Sequence, residues 1–145
     1  MSDVRCRAQY KSIAGVVTAS TDIGTSFASA KATTVAVPVT GGPSEAVTIK
    51  PNYLVVQGSQ VGDATKLTIA ISTDSCGDAI IIPDTEATLA LGKTTATKCM
   101  AGYAIDLPYV DVSGSGVTLY IHFKADAGST LDIDSCTLYY TEGVR

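Results

Sequence analysis

The chain has 145 residues, no tryptophan and a single histidine, His122. One histidine excludes a histidine-rich metal centre, and no C-x-x-C accompanies it to build a standard zinc motif. No G-x-S-x-G occurs, so the serines lack a nucleophile elbow. "GTSFAS" and "GSQVGD" contain glycine but no G-K-[ST] follows them, so they are turns and not phosphate loops. Basic charge is scarce. Ten Lys and Arg stand against fourteen Asp and Glu, a net charge of −4. That balance lacks the cationic footprint of a nucleic-acid binder and suits an anionic membrane surface equally badly. No run reaches transmembrane length, and "MSDVRCRAQYKS" carries no apolar h-region. Helical stripes longer than two turns are missing as well.

What the sequence does hold is β-forming. Hydrophobic residues make up 46% and charged residues only 17%. Thr, Val and Ile are abundant, and their branched Cβ fits a pleated surface. Gly, Asp, Ser and Pro cluster between the apolar runs, where turns need them. "TKLTIAIS" (65–72) alternates, with Leu67, Ile69 and Ile71 on one face. "VTLYIHFKA" (117–125) alternates too, which puts Val117, Leu119, Ile121 and Phe123 inside and Thr118, Tyr120, His122 and Lys124 outside. Further strands are expected over 33–39, over 46–58 with an interruption at Pro51, over 79–83, weakly within 84–102, over 103–110, and over 129–142. The segments 117–125 and 129–141 read as a hairpin. About eight strands at this spacing define an all-β chain, an antiparallel β-sandwich of jelly-roll type. The expected organisation is an N-terminal strand or arm over 1–32 and the sandwich over 33–145.

Candidate chemistry is sparse. Asp132 and Asp134 lie at i and i+2 of a strand, on one face and roughly 6.5 to 7 Å apart. Both come from one strand and point the same way, so they read as a solvated face and not as carboxylates flanking a bond. Asp74, Asp78, Asp84 and Glu86 form a second acidic group. Calcium at either place needs oxygen ligands from several loops. Cys6, Cys76, Cys99 and Cys136 are scattered. They read as small apolar residues or free thiols, although loops meeting at one end of a sandwich would allow a Cys76–Cys99 bridge. No catalytic, cofactor or metal site is assigned. After Ile133 the alternation slips. Either a bulge resets the register or both faces are buried, and burial of both faces by a subunit contact is the preferred reading. The candidate partner contacts are therefore Leu138, Tyr139 and Tyr140, together with Arg5, Arg7, Tyr10 and Lys11 of the basic N-terminal stretch.

Two stretches carry a resemblance. "LYIHFKADAGSTLDIDSCTLYYTEG" resembles the closing hairpin of jelly rolls like those of carbohydrate-binding modules. "TKLTIAISTDSCGDAIIIPDTEATLALGKTTATKCMAGYAIDLPYV" is similar in texture to decoration and other small structural proteins of tailed-phage virions. The second likeness implies a non-enzymatic virion protein that decorates or cements a capsid, contacts the major capsid protein and associates as a homotrimer. The expected location is the virion, with no nucleic-acid or membrane partner. The alternative is a carbohydrate- or receptor-binding module of a tail fibre or spike. It is less favoured, because sugar-binding platforms usually use Trp or Tyr rings and this chain has no Trp.

Overall fold

The computed structural model describes residues 9–17, 22–37, 47–62, 64–92, 94, 97–105, 110–111, 116–127 and 130–144. Ten strands are found among them: β1 (Gln9–Ala14), β2 (Thr33–Val37), β3 (Val47–Val61), β4 (Lys66–Ser72), β5 (Ile80–Thr88), β6 (Ala90–Leu91), β7 (Lys98–Ala104), β8 (Val110–Asp111), β9 (Val117–Ala125) and β10 (Thr130–Val144). They form two antiparallel sheets. The first runs β1-β10-β3-β7-β6, with β8 pairing β3 where β7 has ended; the second runs β2-β9-β4-β5. The chain changes sheet at nearly every connection, and only β4–β5 and β6–β7 are joined within one sheet as hairpins. With the short edge strand β6 set aside and β8 counted as a continuation of the β7 position along β3, this is the eight-strand order of a jelly roll.

Period-two burial explains the two layers. In β7 every second residue is buried, so Cys99, Ala101 and Tyr103 face in while Met100 and Gly102 face out. Leu54 and Val56 of β3, Ile69 and Ile71 of β4, Leu119 and Ile121 of β9, and Leu131 and Leu138 of β10 meet between the sheets. Tyr103 ties the layers together, because its hydroxyl donates across the core to the Leu67 carbonyl at 2.6 Å.

Several expectations are corrected. The segments 117–125 and 129–141 are not a hairpin. β9 lies between β2 and β4 in the second sheet, and β10 lies between β1 and β3 in the first. Alternation reports which side of a strand is buried and says nothing about which strand lies beside it. A strand runs over Lys98–Ala104, in a stretch that small residues disguised as loop; of the strand expected over 103–110, residues 106–109 lie outside the described residues. Pro51 does not split 46–58. One 15-residue strand continues through it, because the register shifts between Tyr139 and Tyr140 and Pro51 stands opposite Tyr140. Not every expectation changes: within the segment expected as a strand or arm, residues 9–14 form an edge strand of the first sheet. The slip after Ile133 is a bulge, with a register shift between Ile133 and Ser135. The inward set therefore passes from Leu131 and Ile133 to Cys136, Leu138 and Tyr140.

Candidate interaction surface

The outer faces of the two sheets differ in chemistry. On the second sheet charges are paired across strands: Lys66 with Glu86 at 3.4 Å and Lys124 with Asp84 at 3.0 Å. On the first sheet the only ion pair on the outer face among the described residues, Lys98 with Asp134 at 3.3 Å, stands toward one end. Toward the other end the pairing register sets Ser12 beside Tyr139 and Tyr139 beside Tyr53. One step along, Ala14, Thr137, Val55 and Gly102 continue an uncharged band. The exposed large hydrophobic residues of this face include Tyr10 at 87%, Tyr53 at 42%, Tyr139 at 43% and Met100 at 46% exposure.

Local sequence builds the tyrosine end. The Tyr53 hydroxyl lies where a Cβ on Gly102 would be, so glycine on β7 lets the ring lie flat across the neighbouring strand. Asn52, displaced at the register shift, donates from Nδ2 to Thr141 Oγ1 at 2.6 Å. Its main-chain carbonyl accepts the Ile105 amide at 2.9 Å. Tyr10, Ser12, Lys50, Asn52, Tyr139 and Thr141 line a shallow groove of about 660 Å³. Lys11, Lys66, Lys98 and Lys124 are all in ion pairs. Lys50, in this groove, has no carboxylate partner among the described residues.

The structure separates the candidate contacts. Tyr10 and Tyr139 share the outer face of the first sheet. Leu138 and Tyr140 point the other way and are core residues, at 0% and 4% exposure, because the bulge sends alternate residues of "CTLYY" inward. Lys11 turns toward the interior edge and pairs with Glu142 at 3.1 Å. Burial raises the Tyr140 hydroxyl above its ordinary range, and the Glu142 carboxylate adds to this. Arg5 and Arg7 lie outside the described residues, as does Cys6. Sequence reading missed Tyr53, Lys50, Asn52 and Thr141. Their signal was Pro51, whose place in an otherwise continuous β pattern marks a bulge.

The remaining candidates are structural. Asp134 pairs with Lys98, and Asp132 Oδ1 accepts the Asp22 amide at 2.9 Å. Asp74 accepts the amides of Gly77, Asp78 and Ala79, which closes the β4–β5 turn. No three His, Cys, Asp or Glu side chains among the described residues form a metal cluster. Cys76, Cys99 and Cys136 are free thiols, so no Cys76–Cys99 bridge forms. His122 is not on the surface. It is 4% exposed, because two distant connections cover the outer side of β9.

No protein family matches the chain, and no curated protein does either. Among solved structures, the chain resembles the subviral particle of infectious bursal disease virus VP2. Identity is 10%, the match covers 95% of this chain and 32% of that one, and the TM-score is 0.29. The chain thus spans about a third of that protein's length. A likeness this distant lends the functional reading no support.

Proposed function

We propose that this chain is a non-enzymatic structural protein of a virus particle. It decorates or cements a phage capsid, seated on the major capsid protein and on copies of itself in a homotrimer. The N-terminal stretch carrying Arg5 and Arg7 serves as an arm. The observation that carries the reading is the uncharged band on the outer face of the first sheet, with Tyr10, Tyr53, Tyr139 and Met100 exposed around it. Interface cores are depleted in charge and enriched in Tyr and Met. The opposite outer face carries cross-strand ion pairs and is partly covered by the chain's own β1–β2 crossover and β4–β5 turn.

The test uses Ala14→Arg and Tyr139→Asp, which put charge into the band at β1 and at β10. Expected is loss of self-association and of co-sedimentation with capsids, with each variant still folded and melting cooperatively as a monomer. Variants that assemble and co-sediment like the wild type would refute the reading.

A second reading is favoured by the groove. Tyr10 and Tyr139 line it together with Lys50, Asn52 and Thr141, which offers stacking and hydrogen bonds to a saccharide. Binding on a glycan array that Tyr10→Ala abolishes would select this reading. Silence on the array would leave the assembly role standing alone.

A further inference from the structure

The second sheet holds a device that the assembly role does not use. The His122 ring lies beneath two connections that come from far away in the chain. From β4, Ser72 Oγ stands 2.9 Å from Nε2. That hydroxyl donates its one proton to the Asp74 carbonyl at 2.6 Å, so Nε2 carries the hydrogen and Nδ1 is the basic atom. From the β4–β5 turn, Gly77, with φ of 80°, packs so closely that a Cβ there would sit 3.5 Å from Nε2. From the β1–β2 crossover, Phe27 meets the ring edge-on with centroids 6.4 Å apart. The crossover is itself pinned at one end: the Ile23 amide bonds to the Leu131 carbonyl, and the Gly24 carbonyl accepts the Ala125 amide, both at 2.8 Å.

We infer that His122 is an acid-sensitive clamp: protonation of its ring loosens the β1–β2 crossover and the β4–β5 turn from the outer face of the second sheet. A charge on a ring 4% exposed is costly unless it is compensated. The surroundings compensate it poorly. Along β9, Lys124 lies two residues on, on the same side and roughly 6.5 to 7 Å away. Its ammonium also sits 4.7 Å from the Phe27 ring centroid, so the clamp already carries a cation. From the turn, Asp74 is the nearest opposite charge, but its carboxylate is engaged by three main-chain amides. Asp78 and the Cys76 thiol complete that turn. From β5, Asp84 is held by Lys124. In the crossover, Lys31 binds the Asp22 carbonyl at 2.9 Å, away from the ring. From β4, Lys66 is held by Glu86 of β5 at 3.4 Å, Tyr120 stands two residues back along β9, and β2 brings no titratable group. Protons have access, because a cavity of about 340 Å³ reaches His122 between Phe27, Cys76 and Ile80. Burial depresses the basicity of the ring, and Asp74 offsets this only in part.

The sign follows from linkage. A histidine that titrates lower folded than unfolded adds stability above the unfolded value, and this is lost as pH falls through the folded one. The opened form binds the proton at the ordinary value of 6.5. One pH unit below that value, opening is favoured by up to about tenfold.

Hydrogen exchange at pH 7.5 and 5.5, corrected for intrinsic rates, tests this in the wild type and in His122→Gln, which stays neutral and keeps a donor for Ser72. Expected is an acid-induced rise in opening at 22–31 and 73–79, up to about tenfold in the wild type and absent in the variant, with β3 and β10 unmoved. An equal rise in both proteins would overturn the inference. His122 is the only histidine, so its ring resonance needs no assignment, and the wild-type titration stands even if the variant fails to fold. A midpoint below 6.5 is expected; one at or above it would overturn the clamp.

Discussion

Tyr103→Phe isolates the tie between the two sheets. The Tyr103 hydroxyl donates to the Leu67 carbonyl at 2.6 Å, and the side chain is only 2% exposed. The substitution removes one oxygen and leaves the ring, so neither a large cavity nor a new contact is created. A buried hydrogen bond contributes up to about 1.5 kcal/mol net, and a loss of about that size is expected for this short one. With a urea m-value of about 1.5 kcal/mol/M, the unfolding midpoint should fall by about 1 M at unchanged slope. Tyr53→Phe is the control. Its ring is on the outer face, and its midpoint should move by less than about 0.3 M. The same bond predicts an alkaline effect. Burial pushes the Tyr103 hydroxyl well above the ordinary tyrosine range, with nearby Cys136 and Glu86 adding to it. Its stabilisation is therefore complete below about pH 10, where an unfolded tyrosine ionises, and falls as pH rises beyond that. Tyr103→Phe should flatten that fall. A midpoint shift no larger than that of Tyr53→Phe would refute the inter-sheet tie.

The bulge in β10 predicts opposite consequences for neighbours. Leu138→Ala should cost about 3 kcal/mol by urea unfolding, as for a fully buried leucine, while Tyr139→Ala should cost under about 1 kcal/mol and instead weaken self-association; equal destabilisation would contradict the register. Among the described cysteines, Cys76 is exposed whereas Cys99 and Cys136 are buried, and burial pushes the Cys136 thiol up to about 12. A thiol reagent should label Cys76 in the native protein and Cys136 only on unfolding, so fast native labelling of Cys136 would contradict the packing.

Much of the architecture was legible because burial on one side leaves a period of two. The alternation of "TKLTIAIS" and "VTLYIHFKA" located β4 and β9 and their inward residues. Neighbour relations were not legible. The short turn after Ala125 suits a hairpin equally well, yet it carries the chain from one sheet to the other. The outer face of the first sheet was legible only in part. Tyr10 and Tyr139 were identified, but Leu138 and Tyr140 were taken with them, because two readings of the slipped alternation stood and the sequence did not choose the bulge. Tyr53 was overlooked because its platform depends on Gly102, 49 residues away. His122 was misplaced for a related reason. Its strand pattern pointed it outward, and the residues that bury it, Phe27 and Gly77, belong to segments with no periodic signal.

The central claim is that the outer face of the first sheet is a contact surface between protein subunits. Light scattering after size exclusion, on the wild type and on Ala14→Arg, tests it most directly. The account predicts a wild-type mass of about three times the 14.9 kDa of one chain, and a mass of one chain for the variant. A wild type that stays at 14.9 kDa at every concentration, or a trimer that Ala14→Arg leaves intact, would contradict it.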